Sequence, residues 1–394
     1  MEKTWCIGPL QIVREQRIED DCYAVIEGGK IVQFCKRGEL PEQVELVETK
    51  TAYKMMPGMI DQHIHGISGA DVMDGEESSL NTISTALAKH GVTTFLATTM
   101  TAEENQIKRV VQAIANMKNN VKGAKIAGIH LEGPFINPIQ KGAQSDQFII
   151  KPSVDKFDHL NRSAHYEIKL VTLAAEQDKG HKLATYLKHN GIVVSIGHSD
   201  ATYAETKALL GQQLIQNATH FCNGMRPIHH REPGLQVALM QSECMLEIIA
   251  DGFHIHPDMI RFIYDTIGED RMILISDSMR ATGLTDGIYD LGGQQVRVED
   301  GLCKLVGSDA LAGSTLNLNK ARKNMKDWLG LSDVTLAKLT ATNSAKLLGL
   351  FENKGSIEID KDADFYIVNE NEEVVLTVSE GNIIYENSNF KRRD

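Results

Sequence analysis

Between residues 56 and 275 the chain repeats one alternation. Short, largely apolar runs at 56–61, 92–98, 125–131, 168–173, 192–196, 214–219, 246–250 and 272–275 are separated by longer amphipathic or polar stretches. One such stretch carries Leu80, Ile83 and Leu87, and another Ile107, Val110, Val111, Ile114 and Met117, both at the 3–4 spacing of a helix. Pro257 after His256 marks a further helix start. Continuous apolar strands joined by helical crossovers predict a parallel sheet buried on both faces. Eight strands close a (β/α)8 TIM-like barrel. The competing α/β fold, an open doubly wound sheet, calls for a glycine-rich phosphate loop after its first strand. Here that strand ends in Gln62-His63-Ile64-His65 instead. The expected fold class is α/β, built on the barrel.

A barrel uses about 250 residues, and this chain has 394. The remainder lies at the two ends and has a different texture. Residues 23–26 and 31–34 are strand-like around a Gly28-Gly29 turn, and 357–359, 364–368, 374–378 and 383–385 look similar. The two ends are expected to pair into a small β-sandwich domain from residues 1–54 and 350–394, with the barrel at 55–349 inserted between them. The balance of 41 basic against 53 acidic side chains gives a net charge of −12, which argues against nucleic acid as a partner. No apolar run approaches the ~18 residues that span a bilayer, and the start lacks a secretory layout, so no membrane and a cytoplasmic location are expected. Cys6, Cys22, Cys35, Cys222, Cys244 and Cys303 are scattered, which fits small buried hydrophobes better than a disulfide framework or a cysteine–zinc site.

Barrel enzymes carry their reactive groups where strands end. The first run is followed by His63 and His65, the third by Glu132, and the fifth by His198. The sixth is followed by His220, the seventh by His254 and the eighth by Asp277. Histidines and carboxylates around one rim are a metal-site inventory. Side chains two apart on a strand share a face, so His63 and His65 can converge on one ion. Asp61 is placed to brace the backbone or a ligand histidine. His130, two residues before Glu132, is a rival ligand assigned to the layer beneath. Asp277 emerges from an apolar run where an unpaired carboxylate is costly, and it is placed to act as general base. Asn223-Gly224 offers an amide and backbone N–H groups, and Arg231 a guanidinium fork, for an anionic substrate group. Residues 307–318 read as a loop leading into a helix over the site. These ligand types suit zinc, iron and other divalent ions.

The segments PGMIDQHIHG (57–66), GIHLEGPF (128–135), IGHSDA (196–201), NATHFCNGM (217–225), IADGFHIHP (249–257), ILISDSM (273–279) and LAGSTLNL (311–318) stand in one order along the chain. Together they resemble the N-acetylglucosamine-6-phosphate deacetylases of the amidohydrolase superfamily. The resemblance implies a homodimer that hydrolyses the acetamide of a phosphorylated amino sugar with one or two divalent ions, zinc or iron, per subunit. It implies Glu132, His198 and His220 as ligands of the main ion, and His63 and His65 as support for a second. Asp277 is placed both as a ligand and as the catalytic group, first base and then acid. Asn223, the Gly224 backbone and Arg231 are implied as phosphate contacts, with Arg231 reaching across the dimer. His254 is implied as a sugar contact, and Leu311 is placed among the substrate contacts. One departure stands out: Gln144 occupies a position where some members have histidine, and a neutral amide shifts oxyanion stabilisation toward metal. The alternatives are an N-acetylgalactosamine-6-phosphate deacetylase, a dihydroorotase-like hydrolase, and a non-catalytic sugar-phosphate-binding protein.

Overall fold

The structure, a computed structural model, describes residues 4–42, 44–388 and 390. Eight parallel strands form one sheet in chain order: β1 (Met59–Ile64), β2 (Val92–Thr98), β3 (Lys125–Glu132), β4 (Ile168–Leu173), β5 (Val193–Ile196), β6 (Asn217–Ala218), β7 (Met245–Ile249) and β8 (Met272–Ile275). The principal helices of the crossovers are α1 (Glu77–Ala88), α2 (Glu104–Met117), α3 (Val154–Ser163), α4 (Lys182–His189), α5 (Tyr203–Gly211), α6 (Gly234–Met240) and α7 (Pro257–Ile267), with α8 (Leu318–Leu329) after β8. Backbone bonds at the end of β1 and just beyond β8, Asp277 N–H to the His63 carbonyl (2.9 Å) and His65 N–H to the Ser278 carbonyl (3.0 Å), bring the first and last strands together into a nearly closed ring. The expected barrel is therefore the observed one. The helices bury the predicted faces, Leu80, Ile83 and Leu87 on α1 and Ile107, Val110, Val111, Ile114 and Met117 on α2.

Two expectations are corrected in detail. The run at 56–61 divides between two elements, because Lys54–Pro57 pairs with the terminal strands and the barrel begins at Met59. The chain passes from one sheet to the other at Gly58, where a Cβ would lie 2.2 Å from Thr93 Oγ1. The sixth run yields a strand of two residues only. An element absent from the sequence reading is a three-stranded antiparallel sheet after β8, Gly287–Leu291, Gln294–Glu299 and Leu302–Leu305. Its turns, Gly292-Gly293 and Asp300-Gly301, carry the hairpin residues that could have revealed it.

The termini form a second, branched sheet of eight strands. Its path runs Asn382–Glu386, Val374–Ser379, Phe365–Val368, Lys54–Pro57, Thr4–Val13, Ile18–Glu27 and Lys30–Cys35, with Glu45–Glu48 beside Thr4–Val13. Strands from both ends share a core of their own that includes Trp5, Ile7, Ile26, Phe365, Ile367 and Val378, and the Trp5 and Phe365 rings lie 6.4 Å apart. Against the barrel this sheet is held by a charged cluster. Arg322 of α8, with no exposed surface, pairs with Glu372 (2.6 Å); Lys326 also reaches Glu372 (2.7 Å), and Lys54 reaches Asp333 (2.7 Å).

Candidate metal centre and active site

At the C-terminal rim of the barrel, Glu132 Oε1 lies 3.1 Å from His198 Nε2 and 3.0 Å from His220 Nε2, and those two nitrogens are 3.1 Å apart. His63 Nε2 and His65 Nε2 are 3.3 Å apart, and Asp277 Oδ1 is 3.4 Å from the first and 3.3 Å from the second. Two ligand-like groups result, Glu132–His198–His220 and His63–His65–Asp277. Glu132 links them, because its Oε2 lies 3.3 Å from His65 Nε2.

The far side of each ring fixes its tautomer. His198 Nδ1 faces the Gln140 carbonyl (2.8 Å), His220 Nδ1 the Asn223 carbonyl (3.2 Å) and His65 Nδ1 the Thr98 carbonyl (3.3 Å), while His63 Nδ1 faces Glu247 (3.1 Å). Such oxygens only accept, so each Nδ1 carries a proton, and a ring of this tautomer presents its lone pair at Nε2. Four lone pairs and two carboxylates then converge on one small volume, and that donor set fits divalent metal ions. Burial opposes charge on His65, yet its bonds to Asp277 and Glu132 hold its pKa up at about 9. Burial is likewise overcome at Asp277, where the His63 charge first and the His65 bond next pull the carboxyl down to about 2. Metal binding at such a group displaces those protons.

Backbone conformation adds to the picture. His198, His220 and Asp277 have φ of 47°, 30° and 46°, all left-handed and all just past the ends of β5, β6 and β8. Strained residues of this kind cost about 1–3 kcal/mol each and gather at functional sites. Gly224 (φ 55°) approaches the site so closely that a Cβ would stand 2.9 Å from His198 Nδ1.

A cavity of about 370 Å³ opens over the two groups, lined in part by His65, Glu132, His198, His220 and Asp277. Gln144, Asn223, Gly224, His254 and Leu311 line it too. His63 lies buried beneath, and Arg231 does not line the cavity; it sits exposed on a loop with Nη1 2.8 Å from His230 Nε2. Gln144 is pinned at both ends, its oxygen accepting from Thr101 N–H (2.7 Å) and its amide nitrogen donating to Glu132 Oε2 (2.8 Å). His254 donates from Nδ1 to Asp251 (2.7 Å), which aims the opposite nitrogen away from that carboxylate. Asp61 braces backbone, accepting from Ser276 N–H (3.3 Å) and His63 N–H (3.4 Å), and burial pushes its pKa up to about 7. His130 belongs to neither group: Nε2 meets Thr172 Oγ1 (2.7 Å), and burial drives its pKa down to about 3.

Asp251 and Glu247 escaped the sequence reading. Glu247 had a signal, being a lone acid inside the apolar stretch Met245–Ile249, the same argument that singled out Asp277.

Comparison with known proteins places this geometry. The amidohydrolase family profile matches residues 55–384. The N-acetylglucosamine-6-phosphate deacetylase of Bacillus subtilis (strain 168) is 39% identical over 396 residues, covering 98% of each chain. The crystal structure of the enzyme of that name from Thermotoga maritima is 34% identical, with a TM-score of 0.86 over 97% of this chain and 100% of that one. A mutant of the Mycobacterium smegmatis N-acetyl-D-glucosamine-6-phosphate deacetylase, in complex with N-acetyl-D-glucosamine-6-phosphate, superimposes with a TM-score of 0.88 at 27% identity, over 97% of this chain and 99% of that one.

Proposed function

This chain belongs to the amidohydrolase family, and from that premise we propose that it hydrolyses N-acetyl-D-glucosamine 6-phosphate to D-glucosamine 6-phosphate and acetate. The observation that carries the reading is the set of lone-pair nitrogens and carboxylates at the floor of a cavity sized for a small ligand. The names of full-length relatives supply the substrate class. Glu132, His198 and His220 would hold one divalent ion, and His63, His65 and Asp277 a second, zinc or iron, supplying Lewis acidity toward the acetyl carbonyl and the attacking water.

The residues of the chain do the rest. Asp277 takes the proton that the water loses as its oxygen bonds to the acetyl carbon. It returns that proton to the sugar nitrogen as the C–N bond breaks, so the amine leaves neutral. Its Oδ1 already faces His63 and His65, and Oδ2 is the oxygen assigned to the proton transfer. Gln144 spends one N–H on Glu132 and keeps one for the acetyl oxygen. His254, held by Asp251, orients a sugar hydroxyl. Asn223 and the Gly224 N–H receive the phosphate. Arg231 joins them from the partner subunit of a homodimer, a role supported by its exposure and its place outside its own cavity. A cytoplasmic location is supported by six unpaired thiols; among the described residues no helix is long and apolar enough to cross a membrane.

The test is acetate release by metal-loaded protein from N-acetylglucosamine, its 6-phosphate and N-acetylgalactosamine 6-phosphate. Turnover confined to N-acetylglucosamine 6-phosphate is the expected result. Equal turnover with and without phosphate would remove the anion role of Asn223, Gly224 and Arg231, and no turnover of any would overturn the reading.

A further inference from the structure

Glu247 lies in β7 with no exposed surface, where a carboxylate lacking partners would be costly. Its oxygens instead receive four donors. Gln62 Nε2 (2.7 Å) and Asn217 Nδ2 (2.9 Å) reach Oε1; His63 Nδ1 (3.1 Å) and the His220 backbone N–H (3.1 Å) reach Oε2. From Asn217 a chain of contacts crosses the barrel interior through Ser195 (2.9 Å), Thr219 (2.5 Å), Thr172 (2.6 Å) and His130 (2.7 Å). It ends where the His130 ring stands edge-on to His63, centroids 4.6 Å apart. His63 is thus held from both sides by a polar belt. Glu247 itself is absent from the cavity lining, so it acts on nothing there directly.

We propose that Glu247 is the positioning residue of the His63–His65–Asp277 group, an inference that rests on reading that group as a metal position. Oε2 can only accept, so it keeps the proton on His63 Nδ1 and leaves the Nε2 lone pair facing His65 and Asp277. The same oxygen grips the backbone of His220, the residue held at φ 30°. A glutamine in place of Glu247 could turn an N–H toward Nδ1, and the His63 proton would then move to Nε2 and end its use as a ligand.

The experiment measures zinc stoichiometry and affinity, by competition with a graded chelator, for wild type, His63→Ala, Glu247→Gln, Glu247→Asp and the His63→Ala/Glu247→Gln double variant. Wild type is expected to hold two ions. Glu247→Gln should weaken one of them by about 10–100-fold and leave the other within about threefold. Glu247→Asp, which keeps a carboxylate, should recover part of the loss, and the double variant should bind like His63→Ala alone. Wild-type affinity for both ions in Glu247→Gln overturns the inference, as does equal loss of both or further loss in the double variant. If Glu247→Gln does not fold, Glu247→Asp decides, because selective weakening of one ion is required of it too. A single ion in wild type, unchanged in His63→Ala, would instead refute the metal reading of the group and take this inference with it.

Discussion

Replacing Gly224 by alanine separates backbone strain from damage to the metal centre. A residue with a Cβ at φ 55° costs about 1–2 kcal/mol in the left-handed region, partly offset by the reduced freedom of the unfolded alanine chain. For 394 residues, unfolding entropy of about 2 cal/mol/K per residue makes 1 kcal/mol worth roughly 1 °C in melting temperature. Gly191→Ala is the matched control: φ is 69° and nothing lies within 4 Å of its Cβ. Both variants should lose about 1–2 °C without metal. Only Gly224→Ala meets His198, at 2.9 Å from Nδ1, so the ring must give way. If the ring moves, the bond from Nδ1 to the Gln140 carbonyl is lost or Nε2 is turned from its partners. A net hydrogen bond is worth about 1 kcal/mol, or roughly fivefold in affinity, and loss of ligand support typically reaches about 10–100-fold. Thermal melting of metal-free protein, followed by chelator competition with zinc, reads the two effects separately. Wild-type metal affinity in Gly224→Ala beside equal melting losses would refute the claim that this glycine exists to make room for His198.

Asp277→Asn should lower kcat by about 10²–10⁴-fold while the ion at Glu132, His198 and His220 is retained, measured by acetate release and metal content. Arg231→Ala should raise KM for the phosphorylated sugar by about 10–100-fold, the scale of a lost charge-assisted contact, with metal content unchanged. Mixed dimers carrying Arg231→Ala in one subunit and Asp277→Asn in the other test whether that arginine serves the opposite cavity. Burial opposes ionisation of Glu372, but the Arg322 charge and the Lys326 bond outweigh it and pull the carboxyl down to about 2. Because that value lies below the unfolded one, the stabilisation is complete above about pH 4.5 and disappears as pH falls toward 2. The melting-temperature gap between wild type and Glu372→Gln should therefore close over that interval, and a constant gap would refute the assignment.

The barrel was legible because strands buried on both faces cannot alternate, and 92–98, 168–173 and 272–275 coincide with observed strands. That Glu132, His198, His220, His63, His65 and Asp277 gather at one rim was legible for the related reason that polar residues at the ends of apolar runs need an explanation. What stayed hidden depends on distance in the chain. The tautomer of His63 is set by Glu247 across the barrel, and no local pattern records that pairing. Gln144 reads locally as a free amide, yet Thr101 and Glu132 hold both its ends. Arg231 reads as an anion ligand, and the fold of the single chain leaves it outside the cavity.

The seam at which Asp277 N–H meets the His63 carbonyl makes completion of the proposed site a late event in the life of the chain. His63 belongs to the first barrel strand to leave the ribosome, and Asp277 follows the last. A nascent chain lacking β8 has no carboxylate to complete the second group, however well its early strands have paired. An ion that binds only the finished ring would stabilise it by mass action, and would do so at the contact that joins the two ends of the barrel, the most distant strands of that ring along the chain. The centre that is proposed to cleave the substrate would thereby also serve as a clasp, reporting and rewarding completion of the circle.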